Sequence, residues 1–263
     1  MNKTIKYSVV KYDRTETETV EEIMIYEYPL SIILNDTHIT TLTCTPENLK
    51  ALVVGYLRTQ GIIDSMEDIK TLEIDEKNGI ARVNINSNMD KKPYRQVLPV
   101  GFNENNKKEF FEKLIKDLNC KVVKDNNITI GIEKIYHLMK ENLSYSEAFK
   151  QTGGAHSIAL CDKEKILFIC EDVARHNAVD KVMGEALIRN ISLEDKILLI
   201  SGRVSFEMVL KTSKSGIPIV VSKSAPTNLS IELSNALNIT LIGFVRGEKA
   251  NIYTNSYRVT EKN

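Results

Sequence analysis

The sequence predicts an α/β protein, α+β overall: a β-rich amino-terminal part and a carboxy-terminal part built on a substantially parallel sheet covered on both faces. Three observations carry this. From about residue 155, nearly all-apolar strand segments alternate with helical segments. Alternating and β-branched stretches fill the first 45 residues. Between the two textures stands the double glycine Gly153-Gly154, which places a domain boundary near residue 150, with domains of 1–150 and 151–263.

In chain order, YSVVKY and EEIMIYEYPLSIILN read as strands, broken by the turn-prone Asn35-Asp36. A helix start follows, with Thr45 as N-cap, Pro46 at the first helical position and Glu47 at the positive end of the dipole. Leu49, Leu52, Val53, Tyr56 and Leu57 make one apolar face, and Gly61 supplies the stop. TLEID and IARVNIN pair as a hairpin across Lys77-Asn78-Gly79. Residues 87–106 are polar, contain Pro93 and Pro99, and read as a long functional loop.

Three short helices come next. KKEFFEKLIKDL carries Phe110, Phe111, Leu114, Ile115 and Leu118 on one side, a packing stripe. IEKIYHLMKEN follows, then SYSEAFKQTGG, opened by a capping box of Ser144 with Glu147. Strands HSIALCD and KILFICED are joined by a short charged turn. Beyond them, helix AVDKVMGEALIRN, strand KILLIS, helix SFEMVLKTSKSG, strand IPIVVS, helix APTNLSIELSNALN and strand ITLIGFV complete the alternation.

Composition narrows the function. The 263 residues hold 35 Lys+Arg against 35 Asp+Glu, so the net charge of zero argues against a nucleic-acid partner. No run reaches the ~18 apolar residues of a membrane span, and the polar start is unlike a signal peptide; a cytoplasmic protein without a membrane partner is expected. Cys44, Cys120, Cys161 and Cys170 form no C-x-x-C pair, and His38, His137, His156 and His176 are scattered, so neither a disulfide framework nor a metal site is expected. The P-loop and G-x-G-x-x-G signatures are both missing.

In an open α/β sheet, ligands sit outside the carboxyl ends of the strands. Four such ends carry cations: Arg175 and His176 after KILFIC, Arg203 after KILLI, Lys223 after IPIVV, and Arg246 with Lys249 after ITLIG. Helix N-termini bind anions, and guanidinium forks suit phosphate oxygens. If the loops converge they make a pocket for a phosphate-bearing ligand; if not, they are solvated tips, and composition allows both. Arg203 and Arg246 are the foremost phosphate contacts. His156 serves either a turn-stabilising hydrogen bond or a ligand. Asp172 is placed to pair with Arg175 or His176 in a network that positions Arg175. Asp180 and Lys181 read as first-turn helix residues.

Several strings in these loops resemble the formate dehydrogenase accessory sulfurtransferase family (FdhD). They are Thr152 to His156, EDVARHNAVDK (171–181), SGRVSFE (201–207), SKSAPT (222–227) and LIGFVRGEKANIYT (241–254). TPENLKALVVGYLRTQGI is similar to that family's SPxDLxxLxxGFLxxEGI helix. The resemblance implies a cytidine-deaminase-like three-layer α/β/α carboxy-terminal domain and a homodimer. It implies a maturation factor that takes sulfur from a cysteine desulfurase to a molybdenum or tungsten bis(molybdopterin guanine dinucleotide) cofactor bound for formate dehydrogenase, with GDP-like nucleotides as partial mimics. It also places Phe244, Val245, Arg246, Gly247, Glu248 and Lys249 on the cofactor-binding stretch, and raises Asp180 and Lys181.

The chain departs from that pattern in one chemically decisive place. In QVLPVGFNENN, Gly101 aligns, but Phe102 stands where the family carries its persulfide cysteine, and sulfur transfer needs a thiolate. No catalytic residue is therefore assigned. Cys120, the nearest thiol, is expected to enter a strand as a structural residue. A carrier or regulatory module that has lost sulfur transfer is the alternative. Ala174 and Gln60 replace the family's usual Gly and Glu, without removing a cationic contact.

Overall fold

The computed structural model describes residues 1–86, 106–124 and 128–261. The long loop at 87–106, with Gly101 and Phe102, lies outside the described residues except for Asn106.

Four strands open the chain: β1 (Thr4–Tyr12), β2 (Thr17–Ile25), β3 (Tyr28–Leu34) and β4 (Thr37–Cys44). β1 and β2 form an antiparallel hairpin of their own. After α1 (Leu49–Thr59), strands β5 (Ile69–Asp75) and β6 (Ile80–Ile85) join β3 and β4 in a sheet ordered β4-β3-β6-β5. The β5–β6 turn follows the sequence reading: Gly79 takes φ +67°, and the Asp75 carboxylate accepts the N–H groups of Lys77 and Asn78. One face of this sheet packs on α1 through Leu30, Ile32, Leu52, Val53, Leu57, Ala81 and Val83.

Apart from the short strand β7 (Ile130–Gly131), which pairs with Val259–Thr260, the remaining strands form a larger sheet ordered β13-β12-β11-β10-β8-β9. It comprises β8 (His156–Cys161), β9 (Ile166–Asp172), β10 (Ile197–Ile200), β11 (Ile219–Ser222), β12 (Thr240–Arg246) and β13 (Lys249–Ile252). β10, β11 and β12 run parallel, whereas β8, β9 and β13 pair antiparallel, so the sheet is mixed. Short connections explain this: three residues, Lys163 to Lys165, hold the β8–β9 turn with Asp162, leaving no room for a crossover helix.

Alternate side chains bury on opposite faces, which is why the strands read as continuous apolar runs. Ile158, Leu160, Leu198, Ile200, Val220 and Leu241 meet α2 (Lys107–Asp117), α5 (Arg175–Ile188), α6 (Phe206–Ser213) and α7 (Asn228–Ala236). Ala159, Cys161, Ile197, Leu199, Ile219 and Ile242 meet α3 (Ile132–Tyr145). The result is three layers. Both α2 and α3 precede residue 150 yet pack on this sheet, because their apolar stripes find their cover there.

Two caps differ from the sequence reading. Helix α1 starts at Leu49 behind Asn48, whose φ of 53° is left-handed, and Thr45 caps nothing. Its N–H donates to Asp172 and its hydroxyl accepts from the Val173 N–H, so it joins the two sheets instead. Helix α4 (Glu147–Thr152) is capped by Ser146, which accepts the Phe149 N–H; Ser144 donates to Glu141 O within α3.

Helices α1 and α5 cross almost backbone to backbone. A Cβ on Gly55 would fall 1.7 Å from Asp180 O, and one on Gly184 would fall 1.9 Å from Ala51 O. Beside the crossing lies a buried network. Lys181 and Asp172, both 0% exposed at their side chains, pair at 2.8 Å. Lys181 also donates to Thr45 O and Glu171 O, while Asp172 accepts from Thr45, Ala174 and Asn177. Burial pushes the Asp172 carboxyl up, and Lys181 with the N–H donors pulls it back. Asp172 thus pairs with Lys181, not with Arg175 or His176, because Lys181 turns inward where the carboxylate is buried.

Candidate functional site: a cationic groove at the sheet edge

The loops that follow β10, β11 and β12 are stitched into one rim. Val204 N–H donates to Ala225 O at 3.1 Å and Thr227 N–H to Val204 O at 3.0 Å. Ser222 Oγ donates to Gly202 O at 2.7 Å. Phe244 N–H donates to Ser224 O, and Arg246 Nε to Lys223 O, each at 3.1 Å. The strand-end residues therefore converge, as parallel neighbouring strands require of their carboxyl ends.

His156 opens β8 at the same edge. A Cβ on Gly202 would meet its Nδ1 at 3.1 Å and Arg175 Cδ at 3.8 Å, so Gly202 lets the imidazole and the Arg175 stem approach. Burial, then the Arg175 charge, hold His156 below its ordinary value of 6.5. Arg175 Nε is buried and makes no hydrogen bond among the described residues. Arg203 is exposed in the turn between Gly202 and Val204.

Phe244 is the strained residue of the rim. Its φ is 53°, unusual for an aromatic residue, at a register shift between Gly243 and Arg246. A Cβ on Gly243 would come within 2.9 Å of Pro226 and 3.1 Å of Ser224 O, so the strand is pressed onto the neighbouring loop. The left-handed turn leaves Phe244 37% exposed as a residue, and the Arg246 guanidinium lies 5.5 Å from its ring centroid. Backbone strain of about 1–3 kcal/mol persists where the surroundings over-determine it, and such strain clusters at ligand sites.

Between this rim and α3 runs a groove of about 1020 Å³. Lys223, Val245, Arg246, Gly247 and Glu248 form one wall, and Tyr136, His137 and Lys140 of α3 form part of the other. The sequence reading missed that α3 wall. A helix surface carries no local mark of what it faces, and α3 ends 78 residues before Lys223. Lys249 starts β13, exposed and opposite Arg246.

His176 does not line this groove. It lines a separate cleft of about 290 Å³ between α1, α5 and α6, where burial, Lys211 and Arg175 hold its imidazole below 6.5.

No thiol is poised for chemistry. Burial pushes Cys44 and Cys170 up to about 12, and raises Cys120 and Cys161 as well. Cys120 is half-buried just beyond α2 and enters no strand; its N–H closes the helix end on Ile115 O. Among the described residues, no group of three or more His, Cys, Asp or Glu is arranged to hold a metal ion, and no helix is long and apolar enough to cross a membrane.

The fold and its rim define a mixed α/β protein with a three-layer sheet domain and a cationic groove at one sheet edge. The chain belongs to the FdhD/NarQ family, whose pattern matches residues 25–260. It is 40% identical over 255 residues to the sulfur carrier protein FdhD of Bacillus subtilis (strain 168), covering 96% of each chain. It is 38% identical to the protein of that name from Listeria monocytogenes serovar 1/2a, covering 95% of this chain and 97% of the relative. A crystal structure from Desulfotalea psychrophila, described as a formate dehydrogenase accessory protein, superposes with a TM-score of 0.82 at 26% identity, covering 98% of this chain and 100% of that one.

Proposed function

We propose that this protein acts in formate dehydrogenase maturation and that the groove receives a molybdenum or tungsten bis(molybdopterin guanine dinucleotide) cofactor as cargo. The names of its relatives support the first part. The observation that carries the second is the Phe244–Arg246 pair: an exposed ring held by a left-handed backbone, with a guanidinium beside it and Lys223 across a hydrogen bond. An aromatic face suits a purine, and the cations suit a pyrophosphate. Gly247 turns the chain at φ +56°, and the space beside it is open, with nothing within 4 Å of where a Cβ would stand. Arg175, Arg203 and His156 extend the rim toward a second phosphate. A cytoplasmic homodimer is part of this reading.

Whether the chain relays sulfur from a cysteine desulfurase is a separate matter. A second reading, a cofactor carrier that transfers no sulfur, is favoured by the raised pKa values of all four thiols, three of them buried and Cys120 half-buried. Titration calorimetry with GDP tests the groove. Saturable binding weakened about tenfold or more by Arg246→Ala is expected, a loss of the size of a charge-assisted contact; no binding, or binding indifferent to that change, defeats the reading. Incubation with a desulfurase and cysteine, read by intact mass, tests the relay. The carrier reading expects no gain of about 32 Da per sulfur.

A further inference from the structure

The cleft that holds His176 shares no lining residue with the groove and has its own chemistry. Its walls include Tyr56 and Gln60 of α1, His176 and Asp180 of α5, and Glu207 and Lys211 of α6. At about 290 Å³ it lies just under the range that encloses drug-sized ligands. Helices α5 and α6 each present an i, i+4 pair, His176 with Asp180 and Glu207 with Lys211, which puts the two members of each pair on one helix face.

At the floor, the Lys211 ammonium donates to Asp180, whose other oxygen accepts the Thr59 hydroxyl at 2.7 Å. Lys211 is 7% exposed and has donors beyond that one bond. At the mouth, Glu207 is half-exposed, and its carboxylate stands 3.6 Å from His176 Nδ1, too far for a hydrogen bond. Gln60 is only 8% exposed and lines the cleft beside them. His176 Nδ1 is itself buried and makes no hydrogen bond among the described residues, and an orphaned polar atom lining a cleft with spare ammonium donors is the mark of a polar site and not of a packing gap.

Charge selects the ligand class. A simple anion would meet Glu207 and Asp180, and a simple cation would meet Lys211. A molecule bearing both signs a few ångströms apart satisfies both, with its carboxylate toward Lys211 and the Gln60 N–H groups and its ammonium toward Glu207. We propose that this cleft binds a small zwitterion of the free α-amino-acid type.

The test titrates the full chain with L-alanine and L-cysteine, following amide NMR signals, with acetate and methylamine as single-charge controls. Lys211→Met would strip Asp180 of its buried partner, so Glu207→Gln and Gln60→Leu are the variants, each checked by thermal melting. Saturable amino-acid binding is expected, about tenfold or more tighter than either control and about tenfold weaker in Glu207→Gln. GDP affinity should be unchanged in both variants, which separates this site from the groove. No saturation up to about 100 mM, equal binding of acetate or methylamine, or binding indifferent to Glu207→Gln would overturn the proposal.

Discussion

Two charged regions of this molecule look alike in one dimension and differ in three. At the joint between the sheets, Lys181 faces Asp172, both charges buried and answered. At the sheet edge, Arg203 and Lys223 lie in the surface loops, and Arg246 spends one N–H on a carbonyl with its guanidinium left near an aromatic ring. The lesson is that a buried, paired cation fixes the architecture, whereas an exposed, unpaired one is free for a ligand. Mutating the first should cost stability; mutating the second should cost binding alone.

The sharpest break of that comparison is Lys181→Met. It strands the Asp172 carboxylate, and we expect about 3–5 kcal/mol of lost stability in chemical denaturation. Stability within about 0.5 kcal/mol of the unmodified chain would mean the joint is not held by this pair. Next is Gly184→Ala. Its methyl group would enter the Ala51 carbonyl, and separating α1 from α5 should cost about 3 kcal/mol, measured the same way.

At the rim the order reverses. Phe244→Ala keeps the Cβ and the left-handed backbone and removes only a partly exposed ring, so it should leave the melting temperature nearly unchanged but weaken GDP by about 1–3 kcal/mol in calorimetry. An equal loss in both would make the ring a core residue, not a platform.

The smallest effect concerns pH. Burial holds His156 and His176 below 6.5, so between their folded values and 6.5 the unfolded chain binds more protons than the folded one. Their contribution is therefore full above about pH 6.5 and declines as pH falls below it. The urea midpoint should drop on acidification across that window, and the double change of His156→Gln and His176→Gln should flatten the drop.

Much of this was legible in the chain. Strand and helix positions follow from apolar periodicity, and the turns at Gly61, Gly79 and Gly153 follow from backbone freedom, each with φ near +70°. The family motifs also marked the rim. Thr45 misled because a threonine before a proline reads as a cap, while its partners, Asp172 and Val173, lie over 120 residues away. The parallel character of the large sheet was overread at its antiparallel edges.

By itself, the sequence determined which segments would be strands and helices and which loops would carry cations, since those depend on neighbours two to four positions apart. Only the tertiary structure decided which cations were spent, that α3 would wall the groove, and that His176 would sit in another cleft. The reason is physical: burial and pairing are properties of distance in space, and a lysine's letter is the same whether its ammonium meets a carboxylate or water.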